Sequence, residues 1–117
     1  MVAYEIPNLR FSIPAGAAIA RRRFVSVDAN GQAIQATAST PVIGASMNEV
    51  TDSTGLPAAK QIAEIADGVV IIEAAGTVAA GAKVAADADG KAVTATDAYV
   101  GIAITAGEAG GLMSVKL

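Results

Sequence analysis

Apolar and polar side chains alternate along this chain in short runs. Leu9, Phe11 and Ile13 alternate with Arg10 and Ser12, and Phe24-Val25-Ser26-Val27 follows, which predicts two strands. Val42-Ile43-Gly44-Ala45, Thr77-Val78, Lys83-Val84-Ala85-Ala86, Tyr99 to Ile104, and a closing run in which Met113, Val115 and Leu117 alternate predict further ones. Val69-Val70-Ile71-Ile72 is a continuous β-branched run and predicts a strand buried on both faces. Ala58 to Asp67 is ambiguous: its residue types suit a helix that Pro57 could open, whereas its place in the pattern suits a strand, which is the expectation adopted. Met47 to Pro57 is polar and punctuated by Gly and Pro, so it reads as the longest loop.

One segment is written twice. Asp28-Ala29-Asn30-Gly31-Gln32-Ala33-Ile34-Gln35-Ala36-Thr37 returns as Asp87-Ala88-Asp89-Gly90-Lys91-Ala92-Val93-Thr94-Ala95-Thr96. Asn-Gly and Asp-Gly between β-formers predict a hairpin with a two-residue turn, both central residues at positive φ. Upstream, Ala15-Gly16-Ala17 matches Ala80-Gly81-Ala82. Downstream, Val42-Ile43-Gly44-Ala45 matches Tyr99-Val100-Gly101-Ile102, and Ile62-Ala63-Glu64-Ile65 matches Leu112-Met113-Ser114-Val115. On this alignment the first copy carries extra residues around Arg21-Arg22-Arg23 and two more near Thr40-Pro41. The expected organisation is an arm or first strand over residues 1–14, then one β domain over 15–117 with a repeat at 15–66 and 80–117. The fold class expected is all-β, a compact single-domain sandwich or barrel built from two similar hairpin-containing halves.

Composition sharpens this. With 117 residues the chain is one small module, and its 53% hydrophobic content is largely alanine and valine, with only 3% aromatic. Such side chains each remove little apolar area from water, so the core is thin and stability is expected to be shared with partner subunits. A net charge of −3 argues against nucleic acid as a partner. No basic region precedes an apolar run at the start, and no apolar stretch reaches the roughly 18 to 20 residues of a bilayer span, so neither secretion nor a membrane partner is expected.

Candidate chemistry is sparse. The chain has no histidine and no cysteine, which removes the commonest general base, the thiolate nucleophile and the usual transition-metal ligands; neither an enzyme nor a cofactor is expected. Asp87 and Asp89 read as solvated turn carboxylates. Asp89-Gly90 does not open a calcium loop, because Ala92, Val93 and Ala95 stand where oxygen ligands are needed. Lys91 follows a hairpin glycine, the layout by which biotinyl and lipoyl carrier domains display their modified lysine, although the Met-Lys-Met of biotinyl domains is missing. Arg21-Arg22-Arg23 is the one charge run. In an extended strand Arg21 and Arg23 would share a face, either as a solvated edge that blocks pairing or as a contact with an acidic partner.

Taken in order, Ala15-Gly16-Ala17 through Arg23-Phe24-Val25, Asp28-Ala29-Asn30-Gly31, Val42-Ile43-Gly44 and Gly68-Val69-Val70 resemble successive blocks of small bacteriophage capsid cement (head decoration) proteins. Ala80 to Val84, Asp87 to Val93, Val100 to Ala103 and Val115-Lys116-Leu117 are similar to that family in the same order. The polar insertion from Asn48 to Pro57 and the arginine triplet depart from it. The resemblance implies a structural protein, made in the bacterial host cytoplasm, that binds the outer surface of an assembled head. It also implies that the protein bridges major capsid subunits and stabilises the shell, often as a homotrimer. It fixes no contact residues. The segment from Tyr4 to Phe11 lies outside the repeat, so Tyr4, Ile6, Leu9 and Phe11, with Arg21, Arg22 and Arg23, are the candidate capsid or subunit contacts; the bland alternative is an ordinary first strand.

Overall fold

The computed structural model describes residues 3–52 and 56–117. Among these, nine strands join in one antiparallel sheet: β1 (Ile6–Pro14), β2 (Phe24–Val27), β3 (Ala33–Gln35), β4 (Gly44–Ser46), β5 (Ile62–Glu73), β6 (Lys83–Ala86), β7 (Ala92–Thr94), β8 (Gly101–Ala103) and β9 (Leu112–Lys116). The sheet order is β3-β2-β4-β5-β9-β8-β6-β7, with β1 added on β5, and the whole curls into a half-barrel. The all-β expectation holds.

The two hairpins are copies in register as well as in sequence. Val25, Ser26 and Val27 oppose Gln35, Ile34 and Ala33; Val84, Ala85 and Ala86 oppose Thr94, Val93 and Ala92. Their turns differ from the two-residue type expected. The Gly31 N–H donates to the Asp28 carbonyl and only Gly31 takes positive φ, so the loop is a three-residue turn with glycine in the left-handed bulge position. The cause is the aspartate that opens each loop. Asp28 Oδ1 accepts from the N–H groups of Asn30 (2.9 Å) and Gln32 (3.0 Å), and Asp87 Oδ1 from those of Asp89 (2.8 Å) and Lys91 (2.9 Å).

Pairing also corrects the upstream alignment. The Arg22 N–H donates to the Ser46 carbonyl and the Gly81 N–H to that of Ala103, so Arg21-Arg22-Arg23, and not Ala15-Gly16-Ala17, is the counterpart of Ala80-Gly81-Ala82. Ala15 instead matches Ala74, since each makes a parallel bridge to the start of its hairpin's second strand, Ala33 or Ala92. Alanine-glycine triplets recur too often here for composition to fix that register. The two extra residues near Thr40-Pro41 are real: Ile43 and Val100 make the same bond to Val25 and Val84.

The ambiguous segment resolves as one 3₁₀ turn, Ala58–Lys60, followed by a strand from Ile62. That strand does not stop at Asp67 but runs on to Glu73, fusing two elements that read as separate. Val70 and Ile72 are buried while Val69 and Ile71 are half-exposed, so one face of this run, and not both, is covered. Of the predicted longest loop, Ser53, Thr54 and Gly55 lie outside the described residues.

Because successive β5 side chains point to opposite faces, it serves two cores. Ala63 and Ile65 pack with Ala15, Ile19, Val25, Ala33 and Val50 on one side; Ala66, Val70 and Ile72 pack with Phe24, Val84, Met113 and Val115 on the other. Gly68 makes the transition possible. Its φ is +113°, and a Cβ there would stand 2.6 Å from the Asn8 nitrogen, where a bulge at Asn8 lets β1 cross.

The halves are locked by the second hairpin. The Gly90 carbonyl accepts the Phe24 N–H at 2.8 Å, and Gly90 lies against Gln35 and the carbonyls of Phe24 and Ala36. Its counterpart Gly31 has open space around it. Both glycines have φ near +70°, so Gly31→Ala is expected to cost about 1 kcal/mol from backbone conformation alone. Gly90→Ala should cost about 2–4 kcal/mol, since the methyl also meets fixed backbone oxygens. Urea unfolding midpoints of the two variants test this, and equal losses would show that the docking contributes nothing.

Candidate functional site

The sequence-derived contact residues separate into two groups. Tyr4, Ile6 and Leu9 are 43%, 59% and 55% exposed. Ile6 and Leu9 face the same side of the sheet despite their odd spacing, because the bulge at Asn8 places them opposite Val69 and Asp67, two residues apart on β5. The N-terminal segment is anchored: the Tyr4 N–H donates to Ser114 Oγ at 2.6 Å and the Ser114 hydroxyl donates back to the Tyr4 carbonyl. Ser114 is fully buried beneath it. Phe11 is half-buried and packs on the first core.

The arginines do not form an extended strand. Arg21 and Arg22 make a turn in which Arg22 is the one described non-glycine residue at positive φ (62°), the place glycine holds at position 81. The three side chains therefore diverge. Arg21 is exposed, and Arg22 Nη1 pairs with Glu5 Oε1 at 3.0 Å. Arg23 Nη2 pairs with Glu73 Oε1 at 3.2 Å while its Nη1 donates to the Asp89 carbonyl at 3.3 Å. Arg22 and Arg23 thus work inside the molecule, tying the N-terminal segment and the second hairpin to the first half.

Glu73 is the centre that the sequence reading missed. Its second oxygen takes Lys91 Nζ at 3.1 Å, so one carboxylate at the end of β5 joins the Arg23 turn and the docked hairpin. The signal available was a single charge in the otherwise uncharged run from Val69 to Ala82. The hydrogen bond from Lys91 holds the Glu73 carboxyl below its ordinary value; the Arg23 guanidinium acts the same way through its hydrogen bond and its charge, against partial burial, which raises it. Lys91 is accordingly engaged, on a hairpin packed against Phe24, and does not project as a carrier lysine must.

Other chemistry is thin. Among the described residues no group of three or more His, Cys, Asp and Glu side chains is placed to hold a metal ion. A cleft of about 310 Å³ lies between the loop from Thr37 to Val42 and residues Ala85, Ala98 and Tyr99; its lining holds no carboxylate, imidazole or thiol. Among the described residues no helix is long and apolar enough to cross a membrane.

No family model matches the sequence, and no curated protein is significantly similar to it. The fold, however, is shared with a solved structure, the head fiber gp8.5 N base of bacteriophage phi29. The TM-score is 0.74 over 93% of this chain and 92% of that one, at 14% sequence identity. The likeness establishes a common architecture, and that neighbour is a bacteriophage head protein, in keeping with the resemblance drawn from the ordered sequence blocks.

Because the Glu73 carboxyl is more acidic folded than unfolded, its contribution is complete above about pH 4.5, the ordinary value. It is lost as pH falls from there through the lowered folded value. Glu73→Gln is expected to be about 1–2 kcal/mol less stable at pH 7. The gap to the parent should narrow below pH 4.5. Thermal melts from pH 7 to pH 3 check this; a gap independent of pH would remove the ionic account.

Proposed function

We propose that this protein is a structural component of a bacteriophage head, which binds the outside of the assembled shell, bridges major capsid subunits and stabilises them, with a homotrimer as the assembled form. The observation that carries the reading is the shared fold with the phi29 head fiber base over nearly the full length of both chains. The ordered sequence blocks, the absence of histidine and cysteine, and the alanine-rich core support it. In this reading the protein acts by mass action: it binds the assembled lattice and not the dissociated subunits, so its binding free energy adds to the stability of the particle. Many copies make modest affinity at each site sufficient.

The contacts assigned to the head are Tyr4, Ile6 and Leu9, together with the exposed Arg21. The backbone of Tyr4, Ile6 and Leu9 is already ordered by Ser114 and by pairing with β5, so little conformational entropy is lost when these side chains are covered. Phe11 and Arg22 hold this segment in place from within, while Arg23 serves the second hairpin.

Co-sedimentation with expanded, undecorated heads, with copy number read from stained bands, tests the function. Saturable binding at a fixed ratio to the major capsid protein, with raised thermal stability of the heads, is expected; no binding to expanded or unexpanded heads would overturn it. Ile6→Asp with Leu9→Asp should weaken decoration roughly tenfold or more, while the isolated protein keeps its folding stability to within about 1 kcal/mol, because both side chains are already exposed.

A further inference from the structure

The repeat exposes a face that its counterpart buries. In the first half, Phe24, Ala45 and Ala66 are direct cross-strand neighbours on β2, β4 and β5, and all three are at most 1% exposed. They are covered within the same molecule, because this side of the first half packs into the core of the second. The corresponding row in the second half is Lys83, Ile102 and Lys116 on β6, β8 and β9. It continues through Val69 on β5 to Ile6 on β1. Here both lysines and Ile6 are exposed, and Ile102 and Val69 are half-exposed.

Across five strands the row reads cation, aliphatic, cation and then two aliphatic side chains. Among the described residues neither lysine has an aspartate or glutamate within ion-pair distance. Lys83 Nζ sits 4.9 Å over the half-exposed Tyr99 ring, and Lys116 Nζ lies 3.4 Å from the main-chain oxygen of Leu117, the last residue. The carboxylates on the same side of β5 are directed elsewhere: Glu73 is bound to Arg23 and Lys91, and Asp67 Oδ1 accepts the Gly68 N–H at 2.8 Å. In a chain of net charge −3, two exposed lysines without an aspartate or glutamate partner, set among Ile102, Val69 and Ile6, form a local exception to the overall sign.

We propose that this row is the docking face for an acidic protein surface, one that presents carboxylates to Lys83 and Lys116 around an apolar strip that covers Ile102, Val69 and Ile6. The aliphatic residues supply burial. The lysines fix orientation, because an acidic protein approaching an acidic partner is repelled on its other sides and admitted on this one. Two isolated cations interleaved with aliphatic side chains suit a protein surface and not a phosphate backbone, which takes a concentrated basic stripe. Identifying the partner as the head surface rests on the function proposed above.

The test uses the full chain and DNA-free heads. Lys83→Glu with Lys116→Glu, both at exposed positions, should leave the melting temperature unchanged and weaken head binding roughly tenfold or more. Parent binding should fall as salt is raised, through screening of the lysine contacts. Ile102→Ser, which leaves both lysines in place, should weaken binding while keeping the parent's salt dependence. Parent binding with an unaffected lysine variant would overturn this face and leave the function standing. No parent binding at all would remove both, and binding that appears only with free DNA would reassign the lysines to phosphate.

Discussion

The constraint on which the rest depends is that β5 must satisfy two sheets' worth of neighbours at once. Along its length it pairs with β1, β4 and β9, and its side chains feed one core with Ala63 and Ile65 and the other with Ala66, Val70 and Ile72. A strand used this way has no side free to drift. A one-residue slip would carry each set of apolar side chains into the opposite core. The bulge at Asn8 and the left-handed Gly68 are the local devices that let a single strand change partners midway without breaking its ladder.

Around that strand the repeat is used unequally. The second hairpin is a plug: Gly90 meets the Phe24 backbone, and Glu73 holds Arg23 and Lys91 on either side of the seam. The turn of the first hairpin, built to the same pattern, is left in solvent. The asymmetry follows from substitutions at matching places. Arg23 and Phe24 stand where Ala82 and Lys83 stand in the other half, so one copy offers a hydrophobic and ionic seat and the other a solvated surface. Half of the buried apolar residues among those described are alanine, so close approach of backbones, more than large side chains, joins the halves.

Much of this was legible in the sequence, and the failures have physical reasons. The hairpins were visible because Asp and Gly have strong local demands, yet the turn type was not, because the Asp28 and Asp87 side chains bond their own loops and select a longer turn. Ile6 and Leu9 are exposed, but β1 is not outside the repeat as the sequence suggested: Pro14 and Ile13 oppose Ile62 and Ala63 as Glu73 and Ile72 oppose Leu112 and Met113, a correspondence that the divergent side chains conceal. The alignment of the arginine turn failed where small residues recur, and Arg22 takes a backbone conformation that ordinarily announces itself as glycine. Glu73 was invisible as a centre because Arg23 and Lys91 reach it from distant parts of the chain, and only the closed sheet brings them together.

Val69 lies between Ile6 on one side and Lys116 on the other. The first and last strands therefore end across a single intervening strand, roughly 10 Å apart at the spacing of neighbouring strands. The strands from Ile6 to Lys116 form nearly a closed loop. A linker of a few residues from Lys116 back to Ile6 would close it, and opening the exposed turn around Ser39 would then give a circular permutant with the same sheet. Order along the gene and order in space are thus separable in this fold.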